Sequence, residues 1–305
     1  FPTRRSSDLV LIDEVEHGLE PHRINRLLDS LGAKDKSEPL QVFMTTHSPV
    51  VLRELSGHQL TIIRSNTDNH SANWLGTDDD IQAAVRCFPE SFLSRTVLVC
   101  EGASEIGLIR GLDQFWSAKG FTSLQAAGVS YIDVGGGDPD RAFKRAKTLQ
   151  RLGYKVAVVQ DNDKVPTPQI VNEFKDKGGA LFCWREGLAL EDELFLSLPA
   201  AAVTALLNRA QELTEEGLVN AHIKTRSNGK VGLENVLTEG AKGEYSPETR
   251  QLLGLSSRVR NAGWFKSITK MSDVAQDIIG PSWNETDSAF TDSVKNMINW
   301  ARSDA

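Results

Sequence analysis

The chain has 305 residues, 40% of them hydrophobic, with 34 basic against 41 acidic side chains and a formal charge of −7. That length accommodates two domains, or one with an appendage, and the acidic balance excludes indiscriminate nucleic-acid binding through net charge while leaving room for a local basic face. No apolar run reaches a membrane span, no signal-peptide pattern opens the chain, and the three cysteines, Cys87, Cys100 and Cys183, lack metal-type spacing, so the expectation is a cytoplasmic protein with reduced thiols and no membrane contact.

Residues 1–8, FPTRRSSD, fit none of the patterns in the rest of the chain. With Leu9 they read as the translation of a sequencing-adapter oligonucleotide, which would make the remainder the C-terminal part of a longer natural frame. Leu9-Val10-Leu11-Ile12 predicts a strand ending on Asp13-Glu14, and Val42-Phe43-Met44-Thr45-Thr46 a second one ending at His47-Ser48-Pro49. An acid for a metal, an acid for a water and an imidazole near a phosphate are parts of phosphoryl transfer. The segment resembles the end of an ABC-type ATPase domain. The resemblance assigns Asp13 to the Walker B aspartate, Glu14 to the carboxylate that polarises the attacking water, Gly18–Pro21 to the D-loop and His47 to the switch histidine. No G-x-x-x-x-G-K-S/T loop and no ABC signature occur, so this lobe, residues 9–75, is expected to be inert alone, with ATP a cofactor of the intact parent protein. His17, His22 and His58 are read as surface or local structural residues.

Leu60-Thr61-Ile62-Ile63 predicts an edge strand of the same lobe. Asn66 to Asp80, rich in Ser, Asn, Asp and Gly, reads as a long loop or linker, and Ile81 to Leu93 as a short helix and turn, so residues 76–95 are taken as the link to a second domain.

From Thr96 strands and helices alternate, which predicts an α/β fold with a parallel sheet. The first strand, Val97 to Cys100, ends on Glu101-Gly102-Ala103-Ser104-Glu105, and Ile106, Ile109, Leu112 and Phe115 then recur at helical spacing. Val129 to Val134 is a second strand broken by three glycines. Asp138 is a good helix N-cap with Pro139 at the first helical position. The third strand, Val156 to Val159, runs into Gln160-Asp161-Asn162-Asp163, and the fourth, Ala180 to Trp184, into Leu190-Glu191-Asp192-Glu193-Leu194-Phe195. Open α/β sheets place their chemistry outside the carboxyl ends of the strands. Glu101, Glu105, Asp161 and Asp163 are therefore expected on one rim. Four carboxylates that close need a counter-charge, and a hard divalent cation such as magnesium supplies it.

Residues 96–199 resemble a Toprim domain, the fold shared by topoisomerases, primases and a class of nucleases: Glu101 matches the first-strand glutamate, and Asp161 and Asp163 the D-x-D. The E-G-x-x-E form, Glu101 to Glu105, is similar to the variant in the OLD (overcoming lysogenization defect) family, whose members carry an ABC-type ATPase directly upstream. The resemblance implies a divalent-metal-dependent DNA endonuclease using two Mg2+ or Mn2+ ions held by Glu101, Glu105, Asp161, Asp163 and Glu191, with Asp192 and Glu193 leaving the register of the last acid open. It also implies DNA as partner, a homo-oligomer formed through the ATPase domain, a helicase-type or other defence-system partner, and a role in phage defence or DNA repair. Residues 200–305 read as mostly helical. Within them Gly263-Trp264-Phe265-Lys266-Ser267 resembles the OLD segment that returns a lysine to the Toprim site, so Lys266 is either a cation near the scissile phosphate or a surface lysine beside two aromatics. Arg258, Arg260 and Lys270 read as a phosphate-contacting patch or a solvated face.

Two other chemistries compete with this one. The three glycines 135–137 do not form part of a dinucleotide-binding G-x-G-x-x-G pattern, which removes the first. Asp161-Asn162-Asp163 also fits the nucleophile motif of haloacid-dehalogenase-type phosphatases, but there the motif sits on the first strand and here on the third. A DNA-repair or chromosome-associated ATPase whose Toprim-like part binds without cutting remains the competing function.

Overall fold

The computed structural model describes residues 9–34, 40–65 and 70–303; the octapeptide read as adapter sequence lies outside the described residues. The chain divides into two compact units, one reaching Arg95 and including residues 151–154, the other formed by residues 96–150 and 155–305.

In the first unit, β1 (Leu9–Ile12) pairs in parallel with β2 (Gln41–Met44), Ile12 opposite Met44, and α1 (Pro21–Ser30) lies between them in the chain. Proline opens both α1 and α2 (Pro49–Glu54), where its missing N–H costs nothing. The helices bury Ile24 and Leu28, and Val51 and Leu52. The expected edge strand is β3 (Thr61–Ser65), but the stretch expected to be a loop contains its antiparallel partner, β4 (His70–Trp74). Its sequence, HSANW, is mostly exposed and too short and mixed to show a clear apolar–polar alternation, so no strand pattern was there to read. The short helix and turn expected from Ile81 to Leu93 are α3 (Asp79–Cys87), capped by the Asp78 carboxylate on the N–H groups of Asp80 and Ile81, and α4 (Pro89–Phe92). Ile81, Ala84, Val85 and Phe92 are buried there.

The second unit is built on four parallel strands in the order β6-β5-β7-β8: β5 (Thr96–Cys100), β6 (Val129–Asp133), β7 (Lys155–Gln160) and β8 (Ala180–Cys183). The first helix, α5 (Ala103–Ser117), comes after β5; α6 (Asp140–Arg151) and α7 (Pro168–Asp176) come after β6 and β7. Every residue of β5, and all but the first of β7, is buried, as their continuous apolar sequences require of central parallel strands. Beyond β8 the chain is helical: α8 (Leu190–Ser197), α9 (Ala200–Leu213), α10 (Leu218–Arg226), α11 (Leu233–Gly240), α12 (Pro247–Ser257), α13 (Ile268–Val274) and α14 (Ser288–Arg302). One hydrophobic core runs from the sheet into these helices, joining Leu98, Ala157, Phe195, Trp264, Phe265, Val274 and Phe290. The helical region therefore packs as part of the unit that holds the sheet.

Helices α5 and α13 approach closely at Gly107 and Gly111. A Cβ at Gly107 would lie 2.7 Å from the Ile268 carbonyl oxygen, and one at Gly111 only 2.1 Å from that of Ser272. Two glycines four residues apart leave one stripe of α5 bare, and the second backbone lies in it. Among the described residues no helix is long and apolar enough to cross a membrane.

Candidate functional site

Because β5 and β7 are parallel neighbours, their carboxyl ends lie side by side. The chain leaves β5 at Glu101, whose N–H donates to the Val159 carbonyl (2.9 Å) and whose carbonyl accepts from Gly136 (2.7 Å), so the first glutamate is pinned between β7 and the glycine run after β6. Its carboxylate accepts the N–H of Asp161 at 3.2 Å. One helical turn on, buried Glu105 accepts the Gly102 N–H at 2.8 Å and so also caps the start of α5. After β7, Asn162 turns away and ties the loop to the β8–α8 connection: its N–H reaches the Leu188 carbonyl and its side-chain amide that of Trp184. That leaves Asp161 and Asp163 on either side of it. The Asp161 carboxylate accepts the Leu190 N–H (2.8 Å), which brings the start of α8, with Glu191, to the same rim. Ser104, next to Glu105 on α5, donates to Glu191 at 3.5 Å.

The electrostatics come from crowding. Burial is the main cause that raises Glu105 well above the usual carboxylate range, and the charges of Asp161, Glu191 and Glu101 add to it. Asp161 is driven up in the same way, by burial, then by Glu191 and Glu101. Burial also raises Glu101, against the opposing pull of the Asp161 N–H, Lys164 and Lys266. Glu191 is raised by burial and drawn down most by Lys266. Four acids from β5, α5, β7 and α8 thus repel one another across one space.

The three consecutive acids on α8 have different partners. Glu193 belongs to a structural pair, taking the Arg185 guanidinium at 2.7 Å and the Ser197 hydroxyl at 2.8 Å. Asp192 accepts the Ala189 N–H and the Arg258 guanidinium. Glu191 alone joins the shared field of Glu105 and Asp161.

Lys266 is exposed, its stem folded over Gly263, while Trp264 and Phe265 beside it are fully buried. Its charge nevertheless reaches Glu101 and Glu191. The Trp264 indole N–H donates to His222, which fixes the segment to α10. Of the three basic residues read as a phosphate-contacting patch or a solvated face, Arg260 is exposed and the other two have partners within the protein. Arg258 pairs with Asp163 and Asp192, and Lys270 donates to the Leu213 carbonyl. Sequence reasoning missed the Arg258–Asp192 pair because nothing in the spacing of the two residues connects them.

The donors suit a hard divalent ion: carboxylate oxygens, largely buried, and destabilised by one another without a cation. Among the described residues no group of three or more His, Cys, Asp or Glu side chains is already arranged to hold an ion. Acid oxygens of the rim are turned instead to backbone N–H groups and to Arg258.

In the first unit, the ends of β1 and β2 bring Asp13, Glu14 and His47 into one region. Thr45 donates its hydroxyl to Asp13 and accepts the Glu14 N–H (2.8 Å), while Glu16 accepts the His47 N–H (2.6 Å). Glu14 holds a left-handed backbone, φ 45°.

Residues 1–53 match the family model described as "AAA domain, putative AbiEii toxin, Type IV TA system", and residues 92–163 match "Overcoming lysogenization defect protein-like, TOPRIM domain". No curated protein matches the chain. Among solved structures, the C-terminal region of the Xanthomonas campestris pv. campestris OLD protein is 16% identical, covering 70% of this chain and 94% of that one, with a TM-score of 0.37. The C-terminal region of the Burkholderia pseudomallei OLD protein is 13% identical, covering 69% and 99%, with a TM-score of 0.40. An AAA-type ATPase segment followed by a Toprim domain similar to that of the OLD family is the domain order read from the motifs.

Proposed function

We propose that the second unit is a DNA endonuclease dependent on divalent metal ions and coupled in the intact protein to ATP binding through the AAA-type segment. The observation that carries the reading is that Glu101 and Asp161, at the carboxyl ends of adjacent strands, are joined by Glu105 from α5 and Glu191 from α8 at one rim, where their charges oppose one another and that of Lys266 acts on two of them. Structural acids are normally paired one by one, as Glu193 is with Arg185. A set left to repel is characteristic of a site that takes up a cation.

Glu101, Glu105, Asp161, Asp163 and Glu191 would hold two Mg2+ or Mn2+ ions. When bound, such ions lower the pKa of a water and stabilise a leaving oxygen. The protein's own part is to fix the acids: the Leu190 N–H orients Asp161, the Asp161 N–H orients Glu101, and the Gly102 N–H orients Glu105. Lys266 offsets negative charge developing on the phosphate. Asp13, Glu14 and His47 belong to the nucleotide site, which implies assembly of a homo-oligomer through the ATPase domain. A helicase-type or other defence partner, and a role in phage defence or DNA repair, extend the same reading.

The test is plasmid nicking by the intact protein in Mg2+ or Mn2+, with EDTA and with Asp161→Asn as controls. Metal-dependent nicking that the variant lacks supports the reading. Binding of DNA without any cleavage under all metal conditions would favour the non-cutting alternative.

A further inference from the structure

Arg258 lies just past α12 and spans two acids from different elements. Its Nη1 is 2.7 Å from Asp163 Oδ2, on the loop after β7, and its Nε is 3.2 Å from Asp192 Oδ2, on α8. The approach is built in. A Cβ at Gly254, one turn earlier, would lie 2.6 Å from Asp192 Oδ1 and 2.8 Å from its Cα, so only glycine lets α12 close on α8 at this point. The segment is then held from the other side, because the carbonyl of buried Ser257 accepts the Trp264 N–H at 2.9 Å. The same tether connects Arg258 with the segment that carries Lys266.

We propose that Arg258 is the internal counter-cation of the acid rim: it neutralises Asp163 and Asp192 when no divalent ion is bound and releases Asp163 when one enters. This rests on the metal-site reading given above. Asp163 is the second acid of the D-x-D, and a guanidinium 2.7 Å from its Oδ2 competes with an incoming metal ion for the charge of that oxygen. Arginine stays charged at every working pH, so deprotonation cannot lift the competition. The side chains of Arg258 and Asp163 are 23% and 21% exposed, whereas that of Asp192 is 8% exposed. Asp192 therefore acts as the anchor, and Asp163 is the partner that solvent and ions can reach. A guanidinium so placed sets a threshold of divalent-ion concentration for loading the site.

The alternative role for Arg258 is to orient Asp163 as a ligand, and the two roles differ in sign. The experiment is calorimetric titration of the full chain with Mn2+, without DNA or nucleotide, for wild type, Arg258→Gln and Arg258→Lys. Release predicts affinity about three- to ten-fold tighter in Arg258→Gln, the scale of one half-sheltered charge pair. The Lys variant, with charge but no fork, should fall between. In wild type, phenylglyoxal labelling of Arg258, mapped by mass spectrometry, should rise on adding Mn2+. That measurement needs no variant and decides the matter if Arg258→Gln fails to fold. Unchanged or weaker Mn2+ affinity in Arg258→Gln, or labelling indifferent to Mn2+, overturns the inference while leaving the metal site standing. Absence of Mn2+ binding in every protein overturns both.

Discussion

Replacing Gly111 by alanine tests whether the contact between α5 and α13 sets the position of the lysine segment. The added Cβ would meet the Ser272 carbonyl oxygen at 2.1 Å and Ala275 Cβ at 2.7 Å, whereas ordinary contact begins near 3.4 Å. The helices must therefore separate by about 1.3 Å, the difference between 3.4 and 2.1 Å, and no rotamer change relieves a clash with backbone. Overpacking of a tight contact costs about 1–3 kcal/mol, occasionally more, and the backbone clash puts this case at the upper end. Alanine returns about 1 kcal/mol of helix propensity. The net expectation is a loss of about 2 kcal/mol, or a fall of roughly 4–8 °C in the melting temperature of this unit. Gly107→Ala, whose closest contacts are 2.7 Å, should lose less. Because Ser267 caps α13 directly after Lys266, cleavage should slow in both variants while Mn2+ affinity holds. The assays are calorimetric melting and single-turnover cleavage. A gain of about 1 kcal/mol in both variants, as in an unconstrained helix, would refute the argument.

Three further outcomes are expected. Asp161→Asn keeps an oxygen for the Leu190 N–H but removes one charge from the rim. It should abolish cleavage, leave metal-free stability equal or higher, and shrink the Mg2+ stabilisation, which is about 2.7 kcal/mol at a hundred-fold excess over Kd; full activity in this variant would place the site elsewhere. Lys266→Met should lower the single-turnover rate about a hundred-fold if the lysine stabilises the phosphate, and an unchanged rate would return it to the surface-lysine reading. The raised carboxyls of Glu101, Glu105, Asp161 and Glu191 fix the sign of the pH dependence. Their folded values exceed their unfolded ones, so the stability they contribute is complete below the ordinary carboxylate range and is lost as pH rises through the raised values. Melting temperature in EDTA should therefore fall as pH rises above the ordinary carboxylate range, while stabilisation by Mg2+ grows over the same rise because the ion needs ionised oxygens. A Mg2+ increment independent of pH would contradict the coupling.

The sequence determined the elements whose signal is local. Val97–Cys100 and Val156–Val159 read as buried parallel strands because short, valine-rich apolar runs favour that position, and a parallel pair with acids at both carboxyl ends puts Glu101 and Asp161 together. It could not reveal β4, whose polar residues gain from hydrogen bonds to β3 rather than from burial. Nor could it choose among Glu191, Asp192 and Glu193. Successive residues of a helix point about 100° apart, so each of the three meets a different neighbour, and only packing says which. The tertiary structure gave Glu193 to Arg185, Asp192 to Arg258 and Glu191 to the rim. It also brought Lys266 within electrostatic reach of acids far away in sequence, through the bare glycine stripe of α5 and the buried Trp264. Such long-range contacts depend on which backbones can approach one another, and no local pattern carries that information.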